Sequence, residues 1–360
     1  MVSWLRSLFF SNKEEAKKIG NVLSLFDGMS CGQIALNKLG IQYENFYSSE
    51  IDKHAMKVTQ HNFPNTIQIG DVTQLKGENL PKIDLLIGGS PCTNFSFSGK
   101  RSGMITKDNI EITTLNQYLQ LKQEGFEFDG QSYLFWEFVR MLKEVKPKYF
   151  LLENVVMGKK WEKILTEAIS MQVAENNNSE LTLIEPIQIN SSLVSAQNRV
   201  RLYWTNIPNI QQPEDIGIGL TDILEDDDKI NPGAIRGRQL NKATILGRRL
   251  NEEGKREDYN MKIPITQCLE VRATNTNKSN CLTTVAKDNV LTTMPIGRHP
   301  DAFNKKLPFR YYTSKEYCRL QTVPDDYFNG VASENQIRKM IGNGWTVDVI
   351  AHIFKNMESL

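Results

Sequence analysis

Cysteine is scarce in this 360-residue chain, and histidine is scarcer. Cys31, Cys92, Cys268, Cys281 and Cys318 are scattered, odd in number and without any C-x-x-C spacing. That pattern excludes a disulfide framework and the usual zinc ligand sets. His54, His61, His299 and His352 form no ligand pair with them, so no metal is expected, and a reducing cytoplasm is the expected location. No apolar run approaches the ~20 residues that span a bilayer, so no membrane partner is expected. Residues Met1–Phe10 are amphipathic, with Trp4, Leu5, Leu8 and Phe9 on one helical face. The stretch is too short and interrupted for a secretory signal, and reads as a helix packed on the domain surface. Charge of either sign is also lacking in excess: the net value is +1, which by itself argues neither for nor against nucleic acid. What is present is a 40% hydrophobic content, enough for a substantial core, on a length that suits one large or two unequal domains.

Up to residue 205, short apolar runs alternate with helix-like stretches. Asn21–Phe26, Asn45–Ser49, Thr66–Ile69, Ile83–Ile87, Tyr149–Leu152, Leu181–Ile189 and Val200–Thr205 read as strands. Cys31–Leu39, Tyr133–Val145 and Lys160–Val173 read as helices between them. This alternation predicts an α/β sheet, mostly parallel, with helices on both faces and ligands at the carboxyl ends of the strands. Residues 206–305 are rich in Pro, Gly, Asn and charge, and predict a small irregular second domain. Helical patterning returns at Thr313–Gln321, Ser333–Ile341 and Val347–Met357.

Two junctions carry chemistry. The first strand runs into Asp27-Gly28-Met29-Ser30-Cys31-Gly32, where glycines allow a tight turn and close approach of a ligand to a helix N-terminus. Glu50 ends the second strand, placed to bind both hydroxyls of a ribose. Asp71, in Gly70-Asp71-Val72 after the third strand, can accept from an adenine amine. As plain structural residues, Glu50 and Asp71 would cap the helices that follow. After the fourth strand, Gly88-Gly89-Ser90-Pro91-Cys92 holds a thiol at a strand end, where it is either a buried structural cysteine or a nucleophile. The next strand ends in Leu152-Glu153-Asn154-Val155, delivering a carboxylate to the same edge. Arg199 and Arg201, two apart in a strand, share one face.

The ordered set of Phe26-Asp27-Gly28-x-x-x-Gly32, Glu50, Gly70-Asp71-Val72, Ser90-Pro91-Cys92, Glu153-Asn154-Val155, Gln197-x-Arg199-x-Arg201 and Gly342-Asn343-Gly344 resembles the cytosine-carbon-5 DNA methyltransferases from end to end. Leu134–Leu142, Val194–Asn206 and Ile341–Val349 are similar to the eukaryotic de novo group, while the Gly342-Asn343 pair is more like the bacterial and phage enzymes. The resemblance implies a Rossmann-like S-adenosylmethionine-dependent methyltransferase fold, α/β with a mostly parallel seven-stranded sheet. It implies a catalytic domain of residues 1–205 plus 306–360 and a target recognition domain of 206–305. It implies methyl transfer from S-adenosylmethionine, leaving S-adenosylhomocysteine, to a cytosine flipped out of duplex DNA, in a bacterial or phage-infected cell and in a setting such as restriction–modification. Cys92 is then the nucleophile at cytosine carbon 6, Glu153 the partner of ring nitrogen 3 and the exocyclic amine, and Arg201 that of the base carbonyl. Arg199 fixes the loop and phosphates. Phe26, Asp27, Gly28, Gly32, Glu50, Ile51, Asp71, Val72, Asn343 and Thr346 would hold the donor.

The loop from Thr93 to Gly130 is longer than the family's lid, and its tail, Asn109–Asp129, matches nothing familiar. Lys100 and Arg101 within it are candidate phosphate contacts. Between Asn231 and Arg256 a basic stripe (Arg236, Arg238, Lys242, Arg248, Arg249, Lys255, Arg256) faces only Glu252 and Glu253, and Arg236, Arg238, Arg248 and Arg249 are its candidate DNA contacts. Leu134-Phe135-Trp136-x-Phe138 reads as core packing or as a homodimer contact through 134–142. Two other functions stay open: a tRNA cytosine methyltransferase, and a catalytically silent DNA-binding paralogue.

Overall fold

The computed structural model describes residues 17–95, 103–225, 240–272 and 277–358. The amphipathic start, Lys100, Arg101, Arg236 and Arg238 lie outside the described residues.

Fourteen strands form the described sheets: Lys18–Ile19 (β1), Asn21–Leu25 (β2), Gln42–Tyr43 (β3), Phe46–Ser49 (β4), Ile67–Gln68 (β5), Ile83–Gly89 (β6), Tyr149–Val155 (β7), Ile187–Asn190 (β8), Val200–Thr205 (β9), Asn241–Arg248 (β10), Thr266–Val271 (β11), Val290–Thr292 (β12), Gly297–His299 (β13) and Phe309–Tyr311 (β14). Seven of them make one sheet in the order β5-β4-β2-β6-β7-β9-β8. All neighbours are parallel up to β7, and β9 runs antiparallel to both β7 and β8. This is the α/β, mostly parallel sheet that the alternation predicted, with the seven strands that the resemblance implied. The central strands are near-continuous apolar runs, as strands covered on both faces must be. Their side chains alternate between two cores: Val22, Leu85, Ile87 and Leu151 pack on one side, and Leu23, Leu25, Leu86, Phe150 and Leu152 on the other. Helices Cys31–Lys38 and Val347–Phe354 cover the first side. Phe135–Val145 and Lys159–Asn177 cover the second.

Strand order reverses between β2 and β6. The chain leaves β2 outward through β4 and β5, then returns to β6 on the other flank. A crevice opens at the carboxyl ends of such a pair, and the two glycine-bearing turns leave from those ends.

Four expectations change. Leu181–Ile189 shortens to β8, because Pro186 offers no N–H for a ladder and Leu181 and Leu183 stay exposed. Helices Lys53–Asn62 and Leu115–Gln123, absent from the sequence reading, are capped by Asp52 and Thr114. The irregular stretch after 206 contains a five-stranded antiparallel sheet, β13-β11-β10-β12-β14, around Ala243, Ile245, Leu269, Val271 and Val290. Lastly, every residue from 135 to 142 is buried and Phe135, Trp136 and Phe138 are wholly so, which removes this helix as a subunit contact. Among the described residues no helix is long and apolar enough to cross a membrane.

Candidate active site

The turn after β2 is unusual in its backbone. Phe26, Gly28 and Ser30 all adopt positive φ, at 56°, 57° and 64°. For the two non-glycine residues this costs of order 1–3 kcal/mol each, so surrounding contacts must hold it. The Asp27 N–H donates to Ser49 O (3.3 Å), and the Ser24 and Ser48 hydroxyls donate to its two carboxylate oxygens at 2.5 and 2.9 Å. Burial nonetheless raises the Asp27 carboxyl to about 6. The Gly28 N–H donates to Glu50 Oε2 (2.8 Å), while Glu50 Oε1 accepts from the Ile51 and Asp52 N–H groups at 2.7 and 2.8 Å. Glu50 thus closes the gap between the β2 and β4 ends and keeps lone pairs for a ligand. Ile51 beside it is 68% exposed, an apolar side chain left in solvent. Asp71 is exposed and spends one oxygen on the Thr73 N–H (2.9 Å), and Val72 is buried behind it.

A Cβ on Gly28 or Gly70 would meet nothing within 4 Å, so open space faces both turns. On Gly32 it would come 2.4 Å from Ile87 Cδ1, so that glycine serves helix–sheet packing. Carboxylates at successive strand ends, exposed apolar surface and an open glycine turn fit a nucleoside donor. Asn343 ends the helix Glu334–Asn343 and is exposed. Thr346 departs from expectation: it is buried, its hydroxyl lying 2.8 Å from Ser191 Oγ and donating to Gln321 Oε1 (2.6 Å). Of that pair, only Asn343 opens to solvent.

The chemical half assembles at the ends of β6, β7 and β9. Gly89 pairs in register with Glu153, and Val155 with Arg201. Asn154 donates to Ser90 O (3.3 Å) and to Ser90 Oγ (3.0 Å), fixing the turn that carries half-buried Cys92. Arg201 Nε meets Glu153 Oε1 at 2.9 Å. Burial pushes the Cys92 thiol up, the Glu153 charge adds to that, and Arg201 and Arg199 oppose it. These charges act on one thiol, so a carboxylate and a guanidinium stand beside Cys92 at this sheet edge.

Arg199 has a different place from the one expected. It is buried, donating to Leu282 O (3.3 Å), Gly342 O (3.4 Å) and Gly344 O (2.8 Å). It clamps the carboxyl-terminal motif onto the segment that leads into β9 rather than reaching a phosphate. Sequence reasoning also missed two neighbours. Cys281 Sγ accepts from both Arg199 (3.5 Å) and Arg201 (3.8 Å), bridging the two guanidinium groups. Trp345 crowds Gly89, where a Cβ would lie 2.8 Å from the indole nitrogen and 3.2 Å from Glu153 Oε2. The pair of glycines before Ser90 was the available signal for that close approach.

The basic stripe is largely spent internally. Arg248 Nε binds Glu270 Oε1 (2.8 Å) and lies 3.5 Å from Asp258, and Arg249 donates to Ile263 O. Lys242 donates to Lys278 O (2.6 Å), Lys255 pairs with Glu253 (2.7 Å), and Arg256 pairs with Asp258. Arg248 is therefore spent on carboxylates, and the Arg249 guanidinium is tied to a main-chain carbonyl. Glu270 is ringed by Arg248, Arg272 and Arg298, which hold its carboxyl down at about 2 although burial works against them. A groove of about 970 Å³ beside helix Cys31–Lys38, lined by Lys38, Asn62, Arg319 and Tyr327 among others, contains none of these residues. No group of three or more His, Cys, Asp or Glu among the described residues could hold a metal ion.

Comparison with known proteins matches residues 20–359 to the C-5 cytosine-specific DNA methylases. The orphan methyltransferase M.SPRI of Bacillus phage SPR is 35% identical over 194 residues, 52% of this chain and 37% of that protein. M.SPBetaI of Bacillus phage SPbeta is 30% identical over 268 residues, 70% of this chain and 55% of that protein. Against these phage relatives the chain spans about half of their length or less. The type II methyltransferase M.Bsp6I of Bacillus sp. is 25% identical over 345 residues, covering 93% of this chain and 98% of its own. Among solved structures, a mutant of Spodoptera frugiperda DNMT2 shares the fold at 21% identity and a TM-score of 0.58, covering 94% of this chain and 99% of that one. With the match running nearly from end to end and the ordered residues meeting at one sheet edge, this chain belongs to the C-5 cytosine-specific DNA methylase family.

Proposed function

We propose that the chain is a DNA (cytosine-5-)-methyltransferase that uses S-adenosylmethionine as donor and duplex DNA as substrate. The observation that carries this reading is the Arg201–Glu153 pair held beside Cys92, with the open turn of Phe26–Gly28 and Glu50 at the neighbouring strand ends. S-adenosylmethionine, when bound, supplies an electrophilic methyl on a sulfonium. The chain's own residues do the rest. The Cys92 thiolate adds to carbon 6 of cytosine, and the ring double-bond pair moves to carbon 5, which becomes the nucleophile. Glu153, carrying its carboxyl proton, donates to ring nitrogen 3 and so stabilises the charge that collects there, and Arg201 holds the base carbonyl. After carbon 5 is methylated, it loses its proton, and expulsion of the Cys92 thiolate restores the ring double bond.

Phe26, Ile51, Glu50 and Asp71 are proposed as donor contacts, with Glu50 at the ribose and Asp71 at the adenine amine. Residues 206–305 are proposed as the target recognition domain, with the exposed cations Arg272 and Arg298 as its described DNA contacts in place of Arg248 and Arg249. The setting proposed is the cytoplasm of a bacterial or phage-infected cell.

Incubation with S-adenosylmethionine and either unmethylated duplex DNA or bulk tRNA, followed by nucleoside mass spectrometry, tests the reading. The expected result is 5-methylcytosine in DNA, abolished by Cys92→Ser. Product in tRNA alone would move the substrate to RNA and keep the chemistry. No product with intact donor binding would leave a silent DNA-binding paralogue.

A further inference from the structure

The segment from Gly103 to Gln131 plays no part in the chemistry above, yet it touches both halves of the site. At one end it backs the Cys92 turn. Asn94, two residues beyond Cys92, donates from its main chain to Ser132 Oγ (3.0 Å) and from its side chain to Asp129 O (3.3 Å). The Gly103 N–H donates to Asn94 O (3.1 Å). Gly130, at φ +67°, lies so close that a Cβ there would come 2.4 Å from Asn94 Oδ1.

At the other end, helix Leu115–Gln123 reaches the donor side. Tyr118 donates its hydroxyl to Glu137 Oε1, and Lys122 Nζ binds the same oxygen at 2.6 Å. Glu137 is wholly buried, and Arg140 Nε takes its other oxygen at 2.6 Å. The same two cations then cross to the turn that follows Asp71. Lys122 donates to Thr73 O (3.1 Å), and Arg140 donates to Val72 O and Leu75 O (2.9 Å each). Asp71 is itself bonded to the Thr73 N–H. Between the two ends, Phe128 stacks on Tyr133 with centroids 4.4 Å apart, and Tyr118 packs against both. A buried carboxylate with three donors has one low-energy arrangement, because shifting any donor weakens the pairing of a charge in a dry site. The segment is therefore a strut with a fixed length.

We propose that Lys122 and Glu137 are positioning residues for the donor site, and that residues 103–131 brace the Asp71–Leu75 turn and the Cys92 turn as one unit, so that filling the donor site is felt at Cys92. This rests on the donor-site reading above. Coupling of this kind is reciprocal: whatever the donor does to Cys92, the Cys92 turn does to donor affinity.

The test uses S-adenosylhomocysteine as probe with the full-length protein. Calorimetry measures its binding, and iodoacetamide alkylation, read on the Cys92 peptide by mass spectrometry, is timed with and without it. In the parent protein, saturating S-adenosylhomocysteine should change the alkylation rate by about fivefold or more. Lys122→Met removes the donor to Thr73 O at a side chain that is 35% exposed, Glu137 keeps its Arg140 and Tyr118 partners, and circular dichroism checks that the variant is folded. It should weaken binding by about tenfold, raise KM for the methyl donor more than it lowers kcat, and bring the two alkylation rates together. Lys122→Arg should restore all three. Tyr118→Phe, which keeps the ring and loses only the hydroxyl, should act in the same direction as Lys122→Met. Lys107→Met, which breaks the exposed Lys107–Glu127 pair on the same segment, should change nothing. Unaltered binding in a folded Lys122→Met protein would overturn the positioning role. Unaltered alkylation on binding to the parent protein would overturn the coupling. If the parent protein binds no S-adenosylhomocysteine, the donor-site reading falls, and this proposal with it.

Discussion

Glu153 acts on Cys92 in two opposite senses. Its charge helps to hold the thiol above the ordinary value of 9.0, after burial and against Arg201 and Arg199. Its carboxyl is also the group that serves the base in the proposed reaction. Only the thiolate attacks, and below the pKa its fraction rises about tenfold per pH unit. Because the thiol is raised, alkylation of Cys92 should keep accelerating beyond pH 9 instead of levelling there. Glu153→Gln removes a repelling charge, lowers the Cys92 pKa and should quicken alkylation at pH 8. The same substitution should slow methyl transfer by about 10²- to 10⁴-fold, the usual worth of a positioned acid. Alkylation and turnover therefore move in opposite directions in one variant. Slower alkylation would mean that Glu153 does not set the state of the thiol.

At the scale of elements, the residue just before β9 joins the catalytic half to the carboxyl-terminal helices through one side chain. Arg199 gives its guanidinium to the carbonyls of residues 282, 342 and 344, gathering three chain segments that are far apart in sequence. Arg199→Met would strand these carbonyls and should cost about 3 kcal/mol in urea unfolding. Arg201→Met, two residues on, should leave stability closer to the parent and abolish turnover. A stable but inactive Arg199→Met protein would return Arg199 to the reacting groups. The strand that carries Arg201 was legible from its apolar run, and so was the shared edge of Cys92 and Glu153. That Arg199 is buried against the carboxyl-terminal motif was not legible, because it stands just before the strand and only the third dimension brings Gly342 and Gly344 to it. Thr346 was misread for a similar reason: its partners Ser191 and Gln321 come from elements remote in sequence.

For the whole molecule, the central sheet follows from local pattern, whereas the second sheet is concealed by its composition. Strand β10 carries its two fully buried apolar residues, Ala243 and Ile245, among Lys242, Thr244 and Gly247, so period-2 burial is easy to overlook in a polar stretch. A charge count along the chain likewise cannot tell which cations are already paired. Around Glu270 the carboxylate neutralises one of three arginines, which leaves a positive patch whose outer members are Arg272 and Arg298. Arg248 is the inner one, with 14% of its side chain exposed against 73% for Arg272. A phosphate contact releases counterions, so its loss lowers the slope of log affinity against log salt by about one. Arg272→Ala should weaken duplex binding and reduce that slope by about one, with the melting temperature unchanged. Arg248→Ala should do the reverse, lowering stability while the slope stays near that of the parent. Fluorescence anisotropy on one duplex across a salt series, run beside thermal unfolding, separates the two. Identical slopes for all three proteins would mean that DNA approaches another face, and that the arginines around Glu270 serve only to hold the sheet.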